Sequence, residues 1–226
     1  MKVLKYYLSL LLFFFVINSC NVLDEEPFTQ PSTENFYQNE TDALAALTAT
    51  YARLKSGIGY YKQQFMPTLF ASSDQGLSTY LYNEFKRGIV TSTNQSLNNL
   101  WKELYLGIRE ANNVIAKVPD IEMDEELKNR IIAEAKFLRA LNYFNLVRCF
   151  GEVPLRLTPV EAGNDQGLAV SSIVEIYDSI IDDLNYASIY CWGKNESRGN
   201  YTNDLGRATN TACLLYTSPS PRDSDT

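Results

Sequence analysis

From Leu97 to Val118 the apolar residues Leu97, Trp101, Leu104, Ile108, Ala111, Ile115 and Val118 recur at alternating steps of four and three, without a break. Only an α-helix buried along one side requires that period, so this stretch restricts the chain to a fold built on long packed helices. Pro119 and Asp120 end the segment, Asp124 is placed to cap the next one, and Glu125 and Glu126 sit where a helix dipole favours negative charge. Beyond them Leu127, Ile131, Ala135, Leu138, Leu141 and Asn145 make one stripe, with Phe137, Leu141, Phe144 and Arg148 as a second beside it. A helix apolar over so wide an arc belongs at the centre of a domain, and Gly151 supplies its stop.

The flanking segments carry weaker versions of the same signal. Ser32 and Thr41 suit N-cap positions, and Leu44, Leu47, Tyr51 and Leu54 predict a helix that ends near Gly57. Residues 59–96 keep neither the helical nor the strand period and read as a long, partly ordered loop. After Pro154 and Pro159 a polar stretch leads to Ser172-Ile173-Val174-Glu175, a capping box, and Ile176, Ile180, Leu184 and Ala187 then face inward. Tyr190-Cys191-Trp192 and a polar loop follow, and Gly206-Arg207-Ala208-Thr209 opens one further helix. Paired amphipathic helices with short links point to an all-α fold of the α-solenoid kind, although no self-repeat near the roughly 34-residue period stands out.

The two ends tell a different story. Met1, Lys2 and Lys5, the apolar run Leu8 to Val16 and the closing Ser19-Cys20 form an export leader over residues 1–19, with Cys20 as the lipid-attachment residue. The apolar run is shorter than the roughly 20 residues a membrane-spanning helix needs. A diacylglyceryl thioether on Cys20 and an acylated, palmitate-bearing N-terminus would anchor the chain stably, since one acyl chain alone binds reversibly. Residues 20–31, with Asp24, Glu25, Glu26, Pro27 and Pro31, read as a lipidated tether, and residues 32–212 as the helical domain. The run Cys213-Leu214-Leu215-Tyr216-Thr217-Ser218 followed by Pro219-Ser220-Pro221-Arg222-Asp223 reads as one frame of a transposon sequencing adapter, so residues 213–226 are expected to be a non-native tail. Resequencing beyond the codon for Ala212 from an adapter-free amplicon tests this; recovery of the same tail would overturn it.

Composition removes whole classes of chemistry. The chain has no histidine, so Ser-His-Asp and Cys-His catalysis and every histidine-ligated metal site are out of reach. Loss of Lys2 and Lys5 with the leader takes the net charge from −7 to −9, which argues against a nucleic-acid partner. With Cys20 lipidated, Cys149, Cys191 and Cys213 are an odd set without C-x-x-C spacing, and Cys149 reads as a core thiol. No cofactor or metal site is expected.

Four stretches together resemble the SusD/RagB family of outer-membrane nutrient-uptake lipoproteins: Cys20 to Asp24 with Pro27; Trp101 to Tyr105 continuing to Ala111-Asn112; Glu134 to Leu141 continuing through Tyr143-Phe144 to Phe150-Gly151-Glu152-Val153-Pro154; and Gly206 to Thr209. The third is the most diagnostic. The resemblance implies tetratricopeptide-like helix pairs with long irregular loops, an incomplete α-solenoid corresponding to the N-terminal half of longer proteins. It further implies a non-enzymatic lipoprotein on the surface of the outer membrane of a Bacteroidetes-type bacterium. Its partners would be a glycan or peptide ligand and a SusC-like TonB-dependent transporter to which the ligand is delivered. Such a half alone should leave an apolar face exposed, so that Cys20 to Ala212 expressed by itself should aggregate or bind an apolar dye.

Capture of a sugar needs aromatic faces for its C–H surfaces and polar groups for its hydroxyls. Tyr80 and Tyr82, with Asn83 as polar partner, suit that role in the loop from Ser72 to Phe85, and Tyr190 with Trp192 make a second aromatic pair. The plainer reading of each is packing. Trp101 and Tyr105 fall on the helix stripe and read as core, and Asn112 and Arg139 as buried hydrogen-bond anchors. Asp178 and Asp182, four apart on one helix, and Asp124 with Glu125 are carboxylate pairs that a lipid-anchored glycoside hydrolase could use, and a protein-binding helical scaffold is a third reading.

Overall fold

Asn39 opens the first helix: its side-chain oxygen accepts the Asp42 N–H at 3.1 Å, so the cap falls two residues before Thr41, and α1 runs Glu40–Leu54. The computed structural model describes residues 36–55, 65–73, 83–160, 167–198, 201–202 and 206–217. Residues 1–35, including Cys20 and Ser32, lie outside them. The elements described here belong to one compact unit that starts at Tyr37.

The stretch read as loop contains two short helices, α2 (Phe65–Ala71) and α3 (Asn83–Arg87). Five to seven residues are too few for a stripe to repeat, which is why periodicity misses them. The helix α4 spans Gln95–Lys117, begun by the Asn94 side chain, which accepts from Ser96 and Leu97 N–H at 2.9 and 3.1 Å. A 3₁₀ turn, Val118–Asp120, links it to α5 (Glu125–Phe150), where Asp124 accepts from Leu127 N–H as its position foretold. Then come α6 (Ile173–Tyr190), the two-residue strands β1 (Ser197–Arg198) and β2 (Tyr201–Thr202), which pair antiparallel, and α7 (Asn210–Thr217). The chain is mostly helical, as expected.

Packing follows chain order: α4 lies on α5, α5 on α6 and α6 on α7, while α1 packs against α4 and α5. The short link between α4 and α5 makes those two antiparallel neighbours. The helix α5 is central: its buried residues include Leu127, Ile131, Ala135, Leu138, Ala140, Tyr143 and Leu146. Each large apolar side chain removed from water contributes about 1.5–3 kcal/mol before entropy is counted. On α4 the buried stripe is Leu100, Leu104, Ile108, Ala111 and Val114, so the face is turned by about one residue from the predicted one. Trp101 and Tyr105 lie at its margin, half-buried, with Trp101 edge-on to Phe150 at 5.1 Å. Gly107 sets the approach of α4 to α5, because a Cβ there would come within 2.8 Å of the Asn142 amide.

Gly151 ends α5 with φ of 73°, a left-handed value that glycine adopts without strain, and its N–H bonds Val147 O. Cys149, just before it, is exposed, which corrects the reading of a core thiol: the last turn of α5 carries it off the packed face. An antiparallel bridge between Val153 and Ser171 then closes the connection to α6. The capping box at Ser172 forms as predicted, with Glu175 N–H donating to the Ser172 hydroxyl and Ser172 N–H to the Glu175 carboxylate.

The turn at Gly206 has φ of 93°, and α7 starts later than predicted, at Asn210. It continues across the expected junction after Ala212, and Cys213 is buried beside Ala133, Ala187, Cys191 and Ala208. Residues 218–226 lie outside the described residues. No disulfide forms among the described residues.

Candidate functional site

Arg139 on α5 makes four side-chain hydrogen bonds. Its Nε and one terminal nitrogen donate to the two carboxylate oxygens of Asp183 at 2.7 and 2.8 Å, joining α5 to α6 face to face. Its other terminal nitrogen donates to Asn112 Oδ1 at 2.8 Å and to Leu157 O at 2.9 Å. Lys136 adds a third bond to Asp183 at 2.9 Å. Arg139, Asn112 and Asp183 are all buried, so the ion pair is shielded and its remaining hydrogen-bonding groups are satisfied.

These groups fix the extended segment that follows α5. Asn112 Nδ2 donates to Arg156 O and Thr158 O, Tyr105 O–H donates to Pro154 O, and Tyr143 O–H donates to Arg156 O while accepting Arg156 N–H at 2.7 Å. Burial pushes the Tyr143 hydroxyl up to about 12 and raises Tyr105 as well. Arg139 and Asn112 are thus structural anchors, as read from the sequence. Asp183 was not singled out, although it stands among Ile176, Ile180, Leu184 and Ala187 on the inward face, where a lone charge signals a buried partner.

At the end of α6 the expected Tyr190 and Trp192 pair comes apart. Trp192 is 2% exposed, with the Arg130 guanidinium 4.2 Å from its ring centroid and Arg198 at 5.4 Å, so it has no free face for a sugar. Tyr190 is 41% exposed and stacks instead on Tyr186, ring centroids 4.6 Å apart and tilted by 39°. Residues two apart do not face each other, whereas residues four apart on a helix do. The extended backbone of Cys191, at φ −67° and ψ 141°, turns the chain inward before Trp192.

Tyr80 and Tyr82 lie outside the described residues, and Asn83 opens α3 without a described side chain. Asp178 and Asp182 are exposed on α6. Along the seam of α5 and α6 runs an apolar groove of about 120 Å³, lined by Phe137, Leu141, Phe144, Tyr177 and Ile181. Ile181 is 45% exposed and Val174, one turn before Tyr177, is 69% exposed. Among the described residues no group of acidic or cysteine side chains could hold a metal ion, and no helix is long and apolar enough to cross a membrane.

A family model described as "Starch-binding associating with outer membrane", of the SusD-like type, matches residues 21–202. The chain belongs to the SusD-like family. SusD-like protein P2 of Formosa agariphila is 28% identical over 191 residues, 81% of this chain and 37% of its own length. A structure of a laminarin-binding SusD-like protein is 32% identical, with a TM-score of 0.67 over 79% of this chain and 39% of that one. A structure solved with xylogluco-oligosaccharide is 28% identical, with a TM-score of 0.61 over 74% of this chain and 32% of its own. The chain therefore spans little more than a third of the length of the SusD-like proteins it matches.

Proposed function

We propose that this chain is the N-terminal part of a surface lipoprotein that captures a glycan, or less directly a peptide, and passes it to a SusC-like TonB-dependent transporter in the outer membrane. The observation that carries the reading is the 32% identity, over most of this chain, to a SusD-like protein named for laminarin binding. In this reading residues 1–19 are the leader, Cys20 bears the lipid, residues 20–31 are the tether and residues 32–212 the helical domain. Tyr80 and Tyr82 supply stacking faces and Asn83 a polar contact.

The helical body supports a binding role through its rigidity. Arg139, Asn112 and Tyr143 hold the chain after α5 by its backbone, which is the kind of support a fixed binding surface needs. The described carboxylates lean the same way: Asp183 is consumed by its ion pairs, and Asp178 and Asp182 stand on an exposed helix flank. Affinity electrophoresis of the chain in laminarin and in xyloglucan gels, with a reducing-end assay alongside, tests capture. Retardation without new reducing ends is the expected outcome. Turnover lost in Asp178→Asn or Asp182→Asn would replace capture by hydrolysis. Metabolic labelling with palmitate, lost in Cys20→Ser, tests the anchor.

A further inference from the structure

The flank of α6 that bears the exposed Tyr190 also carries a half-buried ring, Tyr186. Asp182, Tyr186 and Tyr190 follow one another at four-residue steps, so they form a slowly turning stripe about 12 Å long. Tyr186 is held at both ends of its side chain. Its hydroxyl donates to Asn129 Oδ1 at 3.3 Å, and the Lys136 ammonium lies 5.1 Å from its ring centroid. Lys136 is itself fixed by Asp183, at 2.9 Å. Tyr190 stacks on this immobilised ring and remains 41% exposed. Asp182 is exposed at the other end of the stripe.

We infer that the Asp182–Tyr186–Tyr190 stripe of α6 is an accessory contact for a neutral oligosaccharide, with Tyr190 as its stacking face. The inference rests on the glycan-capture reading above. A sugar has apolar C–H faces and a rim of hydroxyl donors. Tyr190 and the edge of Tyr186 meet the first, and the Asp182 carboxylate accepts from the second. Tyr186, held by Asn129 and Lys136, gives Tyr190 a fixed ring to stack on, so the pair loses less freedom when a ligand arrives. The same carboxylate repels a uronate, so the stripe discriminates by charge. No atom is transferred; the ligand leaves as it came.

The test uses the full chain with laminarihexaose and with an oligogalacturonate of similar length, read by calorimetry. Tyr190→Ala should weaken laminarihexaose binding about 5- to 10-fold, the effect of one aromatic contact, while Tyr190→Phe keeps near-parental affinity. Asp182→Asn should raise affinity for the oligogalacturonate relative to the neutral sugar. A second readout needs no variant: tetranitromethane nitration of Tyr190, followed by mass spectrometry, should slow when laminarihexaose is bound. If the parent chain binds the neutral sugar but Tyr190→Ala binds equally well and nitration is not slowed, this inference is overturned and glycan capture stands. If the parent binds no glycan at all, the capture reading fails and takes the stripe with it.

Discussion

Among the described residues two carboxylates are buried, and they are fastened in different ways. Asp183 on α6 takes both of its cations, Arg139 and Lys136, from the single neighbouring helix α5. Glu134 on α5, wholly buried, collects Arg130 from its own helix, the Tyr51 hydroxyl from α1 at 2.7 Å, and Arg207 from the turn before α7 at 3.2 Å. Tyr51 in turn accepts Ala208 N–H at 2.8 Å. The first joint sets the register of two adjacent helices. The second ties together segments far apart in the chain. Apolar packing alone would let helices slide by a turn with modest loss, whereas a buried charge is satisfied in one register only.

The comparison can be broken most severely at Asp183. Asp183→Ala strands two cations in the interior and should cost about 3–5 kcal/mol in urea unfolding. Replacing the pair together, as Arg139→Met with Asp183→Leu, should cost far less; an equal loss would show that the joint contributes more than register. At Glu134 the milder Glu134→Gln keeps an acceptor for Arg130 but loses the charge, and should cost about 1.5–3 kcal/mol, with C-terminal amides exchanging faster than those of α5. Exchange that rises uniformly would deny the second joint its long-range role.

Alkaline titration probes the anchored segment through Tyr143. Tyr143 is buried with its hydroxyl pushed up to about 12, above the unfolded value near 10. The folded state therefore favours the protonated form. That contribution is complete below about pH 10 and falls away as pH rises toward 12. Tyr143→Phe should lessen the fall in stability across this window, to which Tyr105 and Tyr51, also raised by burial, contribute. The smallest effect belongs to the cap of α6, outside both networks. Ser172→Ala should cost about 1 kcal/mol. There the Ser172 N–H, followed by its hydroxyl, holds the Glu175 carboxyl below its ordinary value, so this support is present at neutral pH and lost as acid protonates it.

The sequence made the four longer helices legible because their stripes repeat over several turns, and Asp124, Ser172 and Gly151 punctuate them visibly. It hid α2 and α3, which are too short to repeat, and it displaced the buried face of α4 because Trp101 is large enough to pack from the margin. The buried joints were half visible. Arg139 lies in the most diagnostic stretch, but its partner is 44 residues away, and Asp183 stands beside the exposed Asp178 and Asp182, from which residue type alone does not separate it. Trp192 and Tyr190 looked paired because they are near in sequence; the helix end between them sends one inward and leaves the other at the surface. Tyr80, Tyr82 and Cys20 stand on sequence alone.

In the segment after α5 the carbonyls of Pro154, Arg156, Leu157 and Thr158 accept from Tyr105, Tyr143, Arg139 and Asn112. None of those bonds uses the side chain of the residue being held. Evolution can therefore rewrite the outward chemistry of residues 156–158 without disturbing their placement, while the helices that grip them must keep their own residues. Diversity is permitted where the grip is blind to identity, and a scaffold of this kind could acquire new ligands while its frame stays the same.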